Sequence, residues 1–182
     1  MSFVGGLLRR AGWTSGSEDA SDVTLAIATK ERATTGRVTL TALGAGVGYF
    51  GAGWDGAVVW AAALLAWELL LRPAGERGVH HLLRSGAAPG NALASLSALY
   101  FIGASLYLVM PAAVWASANP LGYALAAASL CATACHVVVY ASANRLLLAA
   151  HLGPCLIMAL LGPMLLGEAS LEERFLGSII LT

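Results

Sequence analysis

NALASLSALYFIGASLYLVMPAAV, residues Asn91–Val114, contains no charged side chain along its whole length. A helix needs about 20 mainly apolar residues to cross a hydrocarbon core that is roughly 30 Å thick. The whole chain has the same character, because 58% of its 182 residues are hydrophobic and only 11% are charged. Soluble domains have about 25% charged residues. The sequence therefore predicts an all-α fold, a polytopic transmembrane helix bundle.

Four further spans are expected on either side of this segment, separated by short polar breaks. They are Val38–Gly53, Ala57–Leu71, Leu121–Ser142 and Leu146–Leu166. Residues Arg72–Gly90 are polar and predict a loop with room for one short helix. With a sixth helix that is short or truncated, the five full spans give three predicted hairpins.

The two ends of the chain differ from this core. Residues 1–36 predict a cytoplasmic polar leader, either a solvated segment or an amphipathic helix that lies at the interface or on a partner. Residues 37–182 predict the helix bundle. Near the other end, Ser170 and Glu173 match a capping box, which starts the sixth helix. Its twelve residues, Leu171–Thr182, are too few to cross a bilayer.

The loops predict the orientation, because cytoplasmic loops are enriched in Lys and Arg. Five spans put nine of the ten positive residues on one side and leave Arg174 alone on the other. We therefore expect a multi-pass membrane protein with a cytoplasmic N-terminus.

Composition and motifs exclude several classes of function. The net charge of zero gives no basic bias for nucleic-acid binding. Three cysteines in apolar sequence do not predict a disulfide framework. No nucleophile elbow, phosphate loop or zinc-protease motif is present, so we do not expect an enzyme within these residues.

One acidic side chain, Glu68, lies well inside an apolar span. Intramembrane ionisable groups suggest function by default. Glu68 also stands four residues before Arg72, which is the favourable order for a structural pair on one helix face. The pair is the main expectation, and a proton or ligand role is the alternative.

The helices on both sides of Asn144 hold all three cysteines and two histidines. Residue counting from the turn puts His136 level with His151 and Cys131 near the level of Cys155. Two candidate ligand sets follow: Cys131, Cys135, His151 and Cys155, or His136, His151 and Cys155. Thiolates and imidazoles suit copper or zinc, and paired histidines suit haem iron.

We expect that no cofactor binds at this cluster, and haem or copper is the alternative. Cysteine also packs as a small apolar residue, and a histidine between helices often hydrogen-bonds a backbone carbonyl. A small-ligand or redox-sensing pocket is the remaining interpretation. Likewise, the neighbouring histidines His80 and His81 are expected to be solvated rather than metal-binding.

Small residues and prolines predict local features of two helices. Small-xxx-small spacing in the first span predicts close helix packing at Ala42, Gly44, Gly46 and Gly48. Pro154 and Pro163 each remove a backbone hydrogen bond and predict kinks in the last span. Such kinks either transmit motion or serve static packing.

The order of these features resembles the N-terminal multi-pass membrane input modules of alphaproteobacterial sensor histidine kinases and related hybrid kinases. The resemblance covers about Ala28–Thr182. It rests on the polar leader, the three hairpins and the stretch from His136 to Arg145, which runs into a span with two prolines. It implies a homodimer in a two-component system that passes a signal through its last helix. No phosphoacceptor histidine box or ATP-binding domain is present in this sequence.

From this resemblance we expect an integral sensory module of the bacterial inner membrane, coupled by its last helix to a cytoplasmic output domain. The alternative is a small integral subunit of a membrane complex or transporter, with the glycine-rich first span as its docking face. A haem- or copper-binding membrane protein is the weaker alternative. In each case the lipid bilayer is the first partner.

Overall fold

A computed structural model gives the fold, and it describes residues 23–28, 33–116, 120–141 and 144–166. Side chains are described in these ranges except at 120, 121, 139–141 and 163–166. The predicted sixth helix and most of the polar leader lie outside the described residues.

The described chain is helical almost throughout. Its α-helices are α1 (Thr34–Gly46), α2 (Ala57–Ala66), α3 (Arg72–Arg84), α4 (Pro89–Tyr107), α5 (Val109–Ala116), α6 (Pro120–Ala141) and α7 (Arg145–Leu166). Residues 23–28 are helical as well. Two π-helical turns follow α1 and α2, at Val47–Gly51 and Trp67–Leu71. No strand occurs in this part of the chain, which confirms the all-helical class.

Three of the described helices are long and apolar enough to cross a membrane: Ala57–Arg84, Pro89–Ala116 and Arg145–Gly162. Each overlaps a predicted span. The apolar stretch Gly122–Val138 in α6 is shorter. The first predicted span, Val38–Gly53, is not among the candidates. The structure therefore supports a membrane protein with at least three helices of spanning length, whereas five full spans stay a prediction.

The predicted loop Arg72–Gly90 is wrong for most of its length, because α2, the second π-turn and α3 form one continuous helix. Arg72 and Glu76 favour the helix, since they are buried and form an i,i+4 ion pair. The true connection is short. Gly86, with φ of +79°, ends the helix in a left-handed conformation that suits glycine, and the Ala87 N–H donates to the Leu82 carbonyl.

Prolines act differently in the two other long helices. Pro111 has no N–H for the carbonyl of Tyr107, and α4 is separated from α5 there by the single residue Leu108. In α7, by contrast, the predicted kink sites Pro154 and Pro163 lie within one uninterrupted helix. Asn144 caps this helix, since its Oδ1 accepts from the N–H of Leu146 at 3.0 Å.

The core divides into three apolar clusters along the bundle. At the end that holds the α3–α4 connection, the buried residues are Val23, Ile27, Val79, Ala92, Leu93, Leu96, Tyr100 and Leu147. The opposite cluster is built on Trp60, Leu64, Trp67 and Met110. A third, smaller cluster joins α6 and α7 to Leu108. Residues 23–28 therefore pack on α3, α4 and α7. The sequence alone allowed either a solvated segment or an amphipathic helix that lies at the interface or on a partner.

The first predicted span contains two small-residue pairs, Gly44 with Gly48 and Ala42 with Gly46, and only the first pair packs closely against other helices. A side chain at Gly44 would meet Trp60 and Met110 at 3.4 Å, and one at Gly48 would meet Trp54 at 3.4 Å. At Gly46 nothing lies within 4 Å, and Ala42 is exposed. The Gly44–Gly48 face therefore packs inside the bundle, whereas the Ala42–Gly46 face does not.

Gly44→Leu is expected to lower the free energy of unfolding by about 1–3 kcal/mol, because the added atoms overpack Trp60 and Met110. Gly46→Leu is the matched control and is expected to be neutral or stabilising, since leucine is a better helix former than glycine. Thermal unfolding of both variants in detergent, followed by circular dichroism, measures the difference. Equal effects would contradict the packing described here.

Candidate functional site

Glu68 stands at the centre of a buried charged network. Its Oε2 accepts from Arg37 Nε at 2.8 Å and lies 3.1 Å from Arg72 Nε. All three side chains are at most 5% exposed. The Glu68–Arg72 pair expected from the sequence is present, but the same carboxylate oxygen also holds an arginine from α1.

The network continues from Arg72 toward α4. Arg72 Nη1 donates to Glu76 Oε1 at 3.2 Å, and the hydroxyl of Tyr100 donates to that same oxygen at 3.2 Å. On the α1 side, Arg72 Nη2 donates to Thr34 Oγ1 at 2.9 Å. Two arginines and two glutamates, together with Tyr100, thus tie α1, the second π-turn, α3 and α4 together, and the four formal charges cancel.

Local structure explains why Glu68 reaches both arginines. Glu68 is on the π-turn Trp67–Leu71, where the Arg72 N–H donates to the carbonyl of Trp67, five residues back. Pro73 follows at once and offers no N–H, which favours a widened turn at this point. Single π-turns within α-helices are frequent at functional sites.

A cleft of about 300 Å³ lies directly beside the network. Its walls come from all seven labelled helices, α3 through Arg72 alone, together with both π-turns. Most of its lining is apolar, and its polar members are Arg37, Glu68, Arg72, Tyr100, Tyr107, Ser129, Thr133, His136 and His151. Lining residues Leu40, Leu43 and Val47 are themselves exposed, so the cleft opens on their side.

Both histidines that the sequence singled out line this cleft, His136 from α6 and His151 from α7. The ring of His151 is buried, with its Nδ1 3.1 Å from the Leu147 carbonyl. Its centroid lies 4.5 Å from that of Tyr100, the network residue on α4. His151 therefore connects α7 to the charged network through an aromatic contact.

The cysteines do not join the histidines. Cys131 and Cys135 are exposed, whereas Cys155 is buried against Leu108 and Leu130. Among the described residues, which include all five candidates, no three His, Cys, Asp or Glu side chains are placed to hold a metal ion. Neither predicted ligand set is assembled. Cys131 and Cys135 are exposed outside the cleft lining, and Cys155 packs in the third core cluster instead of lining the cleft with the histidines.

Comparison with known protein families, curated proteins and solved structures finds no match to this chain. The case for a site therefore rests on the geometry of its own residues.

Several site residues were missed by sequence reasoning. The sequence uses Arg37 only as a loop charge for orientation and predicts Arg72 only as the partner of Glu68, yet both are 4% exposed and belong to one network. Glu76 falls within the predicted loop, and Tyr100 lies in the predicted span Asn91–Val114 without a role of its own. The repeat of charge at Glu68, Arg72 and Glu76, each four residues apart, was the signal that one helix face continues through the proline.

Glu68→Gln is expected to lower the free energy of unfolding by about 3–5 kcal/mol, because it leaves a buried positive charge without its partner. Removing both charges in Arg37→Gln/Glu68→Gln restores the balance and is expected to recover part of that loss. Thermal or denaturant unfolding in detergent measures both effects, and the double-mutant cycle isolates their coupling.

Asp55→Asn is the control for this cycle, because Asp55 is an exposed acid outside the network. We expect a change within about 0.5 kcal/mol for it. Purely additive effects of the Arg37 and Glu68 substitutions would mean that the two side chains do not stabilise each other.

Proposed function

We propose that this protein is an integral membrane sensory module whose input site is the cleft beside the Arg37–Glu68–Arg72 network. The observation that carries the proposal is the cleft itself. Most of its wall is apolar, and one end is formed by the buried ion pairs of Glu68 with Arg37 and Arg72. Its occupant would be a small, largely apolar and uncharged molecule with at least one polar group.

The size and lining of the cleft support a ligand of this class. Small-molecule sites typically measure about 300–1,000 Å³, with mainly apolar walls and a few polar groups that fix orientation. Since the four formal charges of the network cancel, no excess charge favours an ion as the ligand. The exposed apolar side chains at the opening, Leu40, Leu43 and Val47, favour entry from a lipid-like environment.

The position of the cleft supports a role in signalling. An occupant would contact residues of α1, α2, α4 and α7 at once, so its binding would favour one arrangement of these helices over another. His151 is the contact that matters most, because it links the cleft to α7 through Tyr100. A change there would displace α7, the last described helix, in keeping with the resemblance to sensor histidine kinase input modules.

We also propose five passes through the bacterial inner membrane with a cytoplasmic N-terminus. Contacts between α1 and the helix Ala57–Arg84 support opposite directions, since Gly48 meets Ala57 while Arg37 meets Glu68. Tyr100 with His151 and Leu108 with Cys155 support a parallel α4–α5 and α7. Alternating passes, with α6 as the fourth, account for both relations.

The alternatives have less support. The docking face proposed for a membrane-complex subunit includes Gly44 and Gly48, which Trp60, Met110 and Trp54 already cover. A copper or zinc site built on three or more His, Cys, Asp or Glu side chains is not found among the described residues. The sensory proposal is the one that uses the cleft, the network and both histidines.

Filling the cleft tests the proposal. Mass spectrometry of an organic extract of the purified wild-type protein is expected to find a bound small molecule in near-stoichiometric amount. Ala132→Phe places a ring in the cleft lining and is expected to remove most of that molecule. Ala128→Phe, one turn earlier and exposed outside the lining, is the matched control and is expected to retain it. Equal content in all three proteins, or none in wild type, would contradict a ligand site.

Thiol accessibility tests the five passes. In a chain whose three cysteines are replaced by serine, a cysteine at Asp55 is expected to react with an impermeant maleimide added outside intact cells. A cysteine at Ser85 is expected to react only after the membrane is opened. Labelling of both positions from the outside would disprove the proposed topology.

A further inference from the structure

We infer that the stripe Arg77, His81 and Arg84 on α3 is a binding surface for the headgroups of anionic phospholipids. These three residues follow the i, i+4, i+7 spacing that puts side chains on one helix face, and all three are exposed. The inference does not depend on the cleft or on its ligand.

The continuous helix Ala57–Arg84 changes character along its exposed side. From Val58 to Ala74 its exposed side chains are all apolar: Val58, Val59, Ala62, Ala63, Ala66, Leu69, Leu70, Leu71 and Ala74. That stretch is about 24 Å long at 1.5 Å per residue, close to the roughly 30 Å of a hydrocarbon core. After Ala74, the exposed side of the helix carries the polar side chains of Arg77, His81 and Arg84.

This change positions the stripe in the headgroup layer. The helix has 28 residues and is about 42 Å long, so it is longer than the hydrocarbon core by roughly two turns. The opposite face of α3 packs in the bundle, since Val79 is buried with Leu93 and Leu147. The stripe consequently faces outward at the depth of the lipid phosphates.

Charge at this end of the bundle favours an anionic lipid over a zwitterionic one. Of the acidic residues that the structure describes, Glu68 and Glu76 are buried in the network, and Asp55 lies in the turn before the opposite end of the helix Ala57–Arg84. Among the residues that the structure describes, the exposed charges near the stripe are therefore all positive, with Arg145 as a third arginine at the start of α7. In the sequence before Ala33, four basic residues balance four acidic ones: Arg9, Arg10, Lys30 and Arg32 against Glu18, Asp19, Asp22 and Glu31.

Native mass spectrometry of the full chain with phosphatidylglycerol or phosphatidylcholine tests the inference. Basic residues near an anionic surface contribute about 1 kcal/mol each, which is about fivefold in affinity. Arg77→Gln and Arg84→Gln are each expected to weaken phosphatidylglycerol binding about fivefold and to leave phosphatidylcholine binding unchanged. Arg77→Lys/Arg84→Lys keeps the charge and is expected to retain most of the binding.

Arg145→Gln is the matched control, because it removes the same charge from an exposed site at the same end, outside the stripe. We expect it to have a smaller effect than Arg77→Gln. Equal losses from the two variants would show that overall charge, and not the stripe, attracts the lipid and would overturn the inference. No preference of the wild type for phosphatidylglycerol would overturn it too. Unchanged circular dichroism spectra and melting temperatures verify that each variant is folded.

Discussion

One carboxylate oxygen shared by two arginines is the constraint on which the rest of the structure depends. Glu68 Oε2 binds Arg37 of α1 and Arg72 of α3 at the same time. In an apolar bundle, neither an unpaired carboxylate nor an unpaired guanidinium is tolerated without a large cost. The contact therefore fixes how α1 lies against the helix Ala57–Arg84. It also leaves the Arg72 guanidinium directed at Glu76, and Glu76 accepts from Tyr100 on α4.

Without such a contact, the packing energy of an uncharged helix in lipid differs little from one rotation about its axis to another. Helices α4, α6 and α7 are apolar on nearly every side, and lipid solvates an apolar face as well as a neighbouring helix does. A buried polar network breaks that equivalence, because only one arrangement satisfies all its members. The cleft lies next to this network, so the same contacts that orient the helices also shape one end of the cavity.

The sequence predicted the fold class and the strongest spans but not how the helices face one another. Absence of charge over Asn91–Val114 was enough for a spanning helix, and the spacing of Glu68 and Arg72 was enough for their contact. The depth of His136 and His151 followed from residue counting along a tight turn, and both line one cleft. The rotation of each helix about its axis could not be predicted, because Ala- and Leu-rich helices show no preferred face. The grouping of Cys131 and Cys135 with the histidines was therefore wrong. The polar composition after Arg72 similarly hid a helix whose charges are satisfied by one another.

The core cluster at the α3–α4 end gives this architecture a mechanical property. Val23 and Ile27 come from the segment before α1, yet they pack with Val79, Leu93 and Leu147 from three other helices. A shift of α7 along its axis would open a gap around Leu147 or push that segment aside, and close-packed interiors resist both. Residues 23–28 therefore support α7 at this end of the bundle, so their removal would loosen α7 although none of them lines the cleft.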